Sequence, residues 1–270
     1  MGFTGKVPLF REGHIVTNDN QYTLPSFLII GAQKAGTTSL YHYLIQHPQI
    51  EPAIVKEVHY FDEQWRNGVE WYQSHFPYLK FTESITGEAT PYYLFHPQAP
   101  KRVYHMLPDV KLIILLRNPI DRAYSHYQMM VRRGIENLSF EEAVASELER
   151  TELIYLQMMA DSNYHNGDLA SYSYVRRGQY IEQIRRWLKW FSMDQMCFIN
   201  SEELFTNPEQ TYQKVTRFLG LPDVQLEQYE HLHEGGYDDK ENEAIRHTLQ
   251  QHFKPYNERL FEYLNVSYPW

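Results

Sequence analysis

The sequence predicts a single α/β domain, a central parallel β-sheet flanked by helices, with a P-loop-like phosphate-binding loop after the first strand. Three observations lead there. The apolar run FLII at 27–30 passes through glycine into an amphipathic stretch, as a strand does when it turns into a helix. KLIILL at 111–116 is continuously apolar and stops abruptly at Arg117-Asn118-Pro119, the pattern of a parallel strand covered on both faces. Strand-like and helix-like segments then alternate along the chain without internal repeat or interior linker.

Taken in order, residues 1–24 are a polar lead-in and residues 25–270 the domain. The first strand runs to about Ile30 and the first helix from about Gly36 to His47, ended by Pro48. Residues 48–62 read as a loop with a short extended piece, EPAIVKEVHYFD, and a helix is expected over 68–75. SITGEATP reads as a short strand ending in a turn. A helix opens at Pro119, since proline is well tolerated in a first helical turn. Helices are expected at 139–159 and 178–191, then a strand at MCFIN. FTNPEQTYQKVTRFLGL reads as a helix with proline near its start and Gly220 at its end, and HFKPYNERLFEYL closes the chain.

Composition narrows the function classes. The chain of 270 residues is 43% apolar and 22% charged, ordinary for a globular protein with a large core. A formal charge of −9 disfavours nucleic acid, an anionic membrane surface or a long polyanion as partner, although a basic pocket is compatible with an acidic exterior. Cys197 is the only cysteine and lies in an apolar run, so a buried structural thiol is expected, with no intramolecular disulfide. No His/Cys cluster suggests zinc, and no metal is expected. The first residues lack a signal-peptide hydrophobic region and no apolar run approaches 18 residues, so a soluble, cytoplasmic protein without a membrane segment is expected.

The chemistry concentrates in three places. In GAQKAGTTSL, Gly31 lets the chain leave the strand and Gly36 lets backbone approach an anion. Lys34 adds a point charge, and Thr37 and Thr38 add hydroxyl donors. A triphosphatase loop would read GxxxxGK[ST], whereas Lys34 precedes the second glycine by two positions. The bland reading is a glycine turn beside an exposed lysine. Second, the strand KLIILL ends in Arg117, where a triphosphatase would place a magnesium carboxylate. Ser125 lies eight residues on, in a helix, so the two could clamp a second phosphate; the bland alternative pairs Arg117 with Asp121. Third, Lys56, Glu57, His59 and Asp62 crowd titratable groups among bulky apolar residues, where burial would raise a carboxylate pKa. In an extended segment Glu57 and His59 project to one side, fit for removing a hydroxyl proton. Alone, this segment reads better as a half-buried strand with a Lys–Glu pair.

Together these stretches resemble the sulfotransferases that use 3′-phosphoadenosine 5′-phosphosulfate (PAPS), in particular the heparan-sulfate-type branch and its bacterial relatives. The resemblance runs from about Pro25 to the C-terminus and includes YVRRGQYIEQIRRWLKWF, TRFLGL and YNERLFEYL. It implies that Lys34, Ala35, Gly36, Thr37, Thr38 and Ser39 hold the 5′-phosphosulfate, and that Arg117 and Ser125 hold the 3′-phosphate. It further implies that Glu57 is the catalytic base, beside His59 and Asp62, and that the product is 3′-phosphoadenosine 5′-phosphate (PAP).

Two stretches depart from the branch pattern. GEATP places Ala89 where the branch often has a lysine in Glu-Lys-Thr-Pro, so Lys56 compensates or the acceptor site differs. HLHEGGYDD stands where a disulfide-containing loop often covers the nucleotide, with Gly236 and Tyr237 as candidate cover residues. Both differences point to a cytoplasmic, bacterial-type member. The acceptor is expected to be a carbohydrate or another small alcohol or phenol. Tyr60, Phe61, Trp65, Tyr92, Tyr93 and Tyr172 are candidates to line its site, although core packing is the simpler role for most of them. A nucleotide-dependent small-molecule kinase and a non-catalytic nucleotide-binding module remain as alternatives, and the oligomeric state is not encoded in any residue pattern.

Overall fold

Five parallel strands form one sheet in the order β2-β3-β1-β4-β5 in the computed structural model, which describes residues 23–79, 81–230, 232 and 243–270. The strands are β1 (Phe27–Gly31), β2 (Ile50–Pro52), β3 (Ile85–Ala89), β4 (Lys111–Leu116) and β5 (Met196–Asn200). The helices are α1 (Thr37–Leu44), α2 (Gly68–Gln73), α3 (Ala99–Met106), α4 (Pro119–Arg132) and α5 (Phe140–Ala160). They continue with α6 (Gly167–Tyr172), α7 (Tyr180–Trp187), α8 (Ser201–Thr206), α9 (Pro208–Leu219) and α10 (Glu243–Leu264).

The continuous apolar runs become the central strands because both faces are covered. Every residue of β1 and all of β4 beyond Lys111 are buried. Side chains from α1, α3, α7, α9 and α10 join the strands in one core, including Leu40, Val103, Trp187, Val215 and Leu260. A second cluster joins α4, α5 and α10 through Ile120, Phe140 and Phe253.

Local signals set the helix ends. Asn118 caps α4, its side-chain oxygen accepting from the N–H of Ile120 at 2.9 Å. Ser139 and Glu142 form a reciprocal capping box at the start of α5. The run expected as one helix over 205–220 begins only at Pro208; the turn before it belongs to the separate helix α8. Asn207, at φ −136°, breaks the two apart, because a residue preceding proline avoids the helical region. Helix α3 was not anticipated, since Pro100 and a polar face mask its period.

Close packing between β1 and β3 depends on one missing side chain. Gly87 stands opposite Phe27 in the ladder, and a Cβ there would come within 2.5 to 2.6 Å of three Phe27 ring carbons. Gly87→Ala is expected to destabilise the fold by about 1–3 kcal/mol through this overpacking, read as a lowered denaturant midpoint at unchanged slope.

Candidate active site

The site forms at the edge where parallel strands end and helices begin, the usual place for ligands in an open α/β sheet. The loop leaving β1 takes two left-handed steps, Lys34 at φ 72° and Gly36 at φ 91°. Glycine adopts this conformation freely, whereas lysine is strained in it, and such strain collects at functional sites. A Cβ on Gly36 would meet Leu204 at 2.9 Å, so the loop is also shut to larger residues. Gly36 leads directly into α1, whose first residues, Thr37 and Thr38, start a helix without a side-chain cap. An uncapped helix start of this kind suits an anion, and Lys34 lies half-buried beside it.

Arg117 reaches this loop from the end of β4. Its Nη1 donates to the carbonyl of Lys34 at 3.0 Å, while its own carbonyl accepts from Tyr180 Oη at 2.9 Å. The expected rival partner, Asp121, pairs instead with Arg246 at 2.9 Å. Ser125 is buried on α4, in the chain that follows Arg117. Ala35 is fully buried, as is Ser39, whose hydroxyl bonds with the backbone of Leu232 at 3.3 Å. Gly236 and Tyr237 lie outside the described residues.

The segment after β2 carries the titratable cluster. Glu57 Oε1 lies 2.7 Å from Lys56 Nζ, and its Oε2 lies 3.3 Å from His59 Nε2. His59 Nδ1 in turn lies 2.8 Å from Asp62 Oδ2. Glu57 and His59 therefore face each other as expected, although His59 is left-handed at φ 56° and not extended. Asp62 is buried and continues into a single wide helical turn over 60–64. The carbonyls of Phe61 and Asp62 accept from buried Arg102 at 2.8 and 3.0 Å, which fixes that turn from α3.

The N–H groups of the same segment are gathered by β3 and the turn after it. Tyr60 N–H donates to Tyr93 Oη at 2.8 Å and His59 N–H to Thr90 Oγ1 at 3.4 Å. Both hydroxyls donate to the fully buried carboxylate of Glu88, at 3.0 and 2.6 Å. Tyr41, on α1, links the two halves of the site: its hydroxyl donates to the Gly87 carbonyl at 3.2 Å and accepts from Ala53 N–H at 3.0 Å. Tyr60, Phe61, Tyr92 and Tyr93 are core residues, while Trp65 and Tyr172 are half-buried.

Electrostatics correct one expectation. Burial pulls the Glu57 carboxyl upward, but the hydrogen bond from His59 and the charge and hydrogen bond of Lys56 outweigh it, leaving a pKa of about 2. Burial likewise opposes charge on His59, yet hydrogen bonds to Asp62 and Glu57 raise it to about 10. The carboxylate that burial does raise is Glu88, to about 7, against hydrogen bonds from Thr90, Tyr72 and Tyr93.

Arg177 is a cation that sequence reasoning missed. Burial and the neighbouring Arg122 lower it to about 9, while the field of Glu57 acts in the other direction. It stacks over Tyr92 and Phe95, with its charge 5.0 and 5.5 Å from the ring centres. Nothing in VRRG distinguishes this arginine from its exposed-side neighbour. Among the described residues no group of three acidic, histidine or cysteine side chains is placed to hold a metal ion. No helix among them is long and apolar enough to cross a membrane.

A left-handed loop after β1 and a carboxylate–imidazole pair after β2 are an arrangement suited to group transfer. Residues 24–255 match the sulfotransferase domain, and the chain belongs to the sulfotransferase family. It is 26% identical to the membrane-associated sulfotransferase kil1 of Dictyostelium discoideum, over 92% of this chain and 66% of that protein. It is 34% identical to a Caenorhabditis elegans bifunctional heparan sulfate N-deacetylase/N-sulfotransferase, over 78% of this chain but only 24% of the relative. It is 27% identical to human heparan sulfate glucosamine 3-O-sulfotransferase 6, over 91% of this chain and 73% of that enzyme. The chain thus spans from about a quarter to about three quarters of the length of these relatives. A sulfotransferase from Alicyclobacillus acidocaldarius superposes with a TM-score of 0.72 at 30% identity, covering 91% of this chain and 98% of that structure.

The paired shifts fix a pH window. The folded value of His59 lies above its ordinary 6.5, so its contribution to stability is complete below pH 6.5 and disappears as pH rises through about 10. The folded value of Glu57 lies below its ordinary 4.5, so its contribution is complete above that pH and is lost as pH falls towards 2. In carbon-detected NMR titration, the His59 imidazole is expected to stay protonated at pH 8, and Glu57→Gln is expected to move its midpoint down towards neutrality.

Proposed function

We propose that residues 25–270, following the 1–24 lead-in, form a PAPS-dependent sulfotransferase domain that moves a sulfonate group onto a carbohydrate hydroxyl. The observation that carries this reading is a left-handed, lysine-bearing loop after β1 and a Glu57–His59 pair after β2, two strands separated by β3 alone and tied together through Tyr41. In this assignment the Lys34–Ser39 run receives the 5′-phosphosulfate, with Lys34 and the start of α1 as donors. Arg117 and Ser125 receive the 3′-phosphate. Arg117 already donates to the Lys34 carbonyl, so one guanidinium joins both phosphate subsites. Gly236 and Tyr237 remain the proposed cover.

Glu57 accepts the proton from the acceptor hydroxyl as its oxygen forms a bond to sulfur. The bond from sulfur to the phosphate oxygen breaks in line, and the electron pair leaves with PAP. The lowered pKa of Glu57 shapes this step. In the resting pair Lys56 and His59 each hold one carboxylate oxygen, and each oxygen keeps a second lone pair, so an incoming hydroxyl binds beside them or displaces one. The displaced cation is then free to meet the developing negative charge. Lys56 is the better candidate, because it supplies an amine that Ala89 does not.

Donors preplaced where charge develops contribute roughly 3 to 4 kcal/mol each, against a rate factor of about 10²–10⁴ for general-base proton transfer. Lys34→Ala is therefore expected to reduce sulfonate transfer at least as much as Glu57→Ala. Radiolabelled PAPS supplied with glucosamine-containing oligosaccharides, free amines, phenols and alcohols measures this, and near wild-type transfer by Lys34→Ala would refute the loop assignment. Calorimetry is expected to show PAP binding in the presence of a chelator. Binding of ATP-Mg without PAP would support a small-molecule kinase, and PAP binding without turnover on any acceptor would support a non-catalytic module.

The carbohydrate assignment is supported by the heparan sulfate relatives, and the bacterial-type assignment by the nearly full-length match to the Alicyclobacillus protein. We also propose a cytoplasmic location. Fractionation of the source cells tests it.

A further inference from the structure

Beneath the reactive pair lies a carboxylate that the transfer step does not use. Glu88 is fully buried on β3, and all its partners among the described residues are neutral donors. Tyr72 on α2 donates at 2.7 Å, Thr90 at 2.6 Å and Tyr93 at 3.0 Å, and the N–H of Val58 lies at 3.4 Å. The other charge acting on it is Asp62, of like sign. A carboxylate sunk in the core without a cation is unfavourable unless its oxygens are filled by hydrogen bonds, and these are.

The arrangement has a direction. In its ionised form the Glu88 carboxylate only accepts, so each hydroxyl around it then donates inward and turns its lone pairs outward. The lone pairs of Tyr93 receive the N–H groups of Tyr60 at 2.8 Å and Phe61 at 3.4 Å. Those of Thr90 receive the N–H of His59 at 3.4 Å. Four consecutive amides, 58 to 61, are thus held by one buried group, directly or through a single hydroxyl. They belong to the stretch in which His59 occupies a left-handed conformation unfavourable to it. Two of its three hydroxyl partners, Thr90 and Tyr93, are thereby turned toward this one segment.

We propose that Glu88 is a positioning residue for sulfonate transfer: through Thr90 and Tyr93 it fixes the backbone of residues 58–61 and so holds the Glu57–His59 pair in its working geometry. This inference rests on the function proposed above. It separates Glu88 from Glu57 by task, one carboxylate orienting and the other meeting the acceptor.

Glu88→Gln tests it, since the amide keeps the size but presents N–H groups to partners that also donate. The expected result is a fall in kcat of roughly 10- to 100-fold, the scale of small misplacements of a catalytic group. The Kd for PAP should stay within about twofold, because the loop and Arg117 are untouched, while amides 58–61 exchange about tenfold faster. In a Glu57→Gln background the added Glu88→Gln should cost less than about threefold, because it acts through the group already removed. Equal losses in both backgrounds, or unchanged exchange at 58–61, would overturn the proposal. If Glu88→Gln fails to fold, Tyr93→Phe keeps the ring while cutting the relay to residues 60 and 61; it should lower kcat with PAP affinity intact, and wild-type kcat there would equally overturn the proposal. A wild-type protein that binds PAP but transfers sulfonate to no acceptor would sink the functional reading instead, and the exchange measurements would still decide the anchoring.

Discussion

The site depends on three parallel strands that end side by side. Because β3, β1 and β4 are neighbours and run in one direction, their C-terminal ends deliver the GEATP turn, the phosphate loop and Arg117 to one edge of the sheet. Residues separated by more than 80 positions therefore meet without a long loop, as when Arg117 donates to the Lys34 carbonyl. Burial of the strands on both faces makes this register costly to shift. The loop after β1 and the turn after β3 start directly from fully buried strands, so their positions inherit the precision of the core.

Charge is distributed in layers at this edge. Nearest solvent, Lys56, Glu57 and His59 form a chain of alternating charge that ends on buried Asp62. Below it lies the neutral-donor shell around Glu88, and beside it the stacked, partly desolvated Arg177. The overall acidity of the chain gives no hint of this local cationic character. With one cation against each oxygen, the Glu57 carboxylate is held charged and in a fixed orientation.

Much of the architecture was legible in the sequence. The strands at 27–31 and 111–116 announced themselves as unbroken apolar runs, and the loop between β1 and α1 was readable because its parts are adjacent in the chain. The pairing of Glu57 with His59 followed from a spacing of two, and survived even though His59 is not extended. What escaped notice depends on contacts between distant elements. The low pKa of Glu57 arises from two cations crowding one carboxylate, where apolar neighbours alone suggested the opposite. Glu88 looked like one more residue of a short strand, because its role requires hydroxyls from α2 and from the turn after β3. Arg177 was hidden for the same reason: its aromatic partners lie about 80 residues earlier.

Tyr41 carries a further implication. A single hydroxyl on the helix that begins at the phosphate loop grips both the β3 backbone and the stretch leading to Glu57. Any displacement of that helix would therefore move the β3 backbone and the approach to Glu57 together.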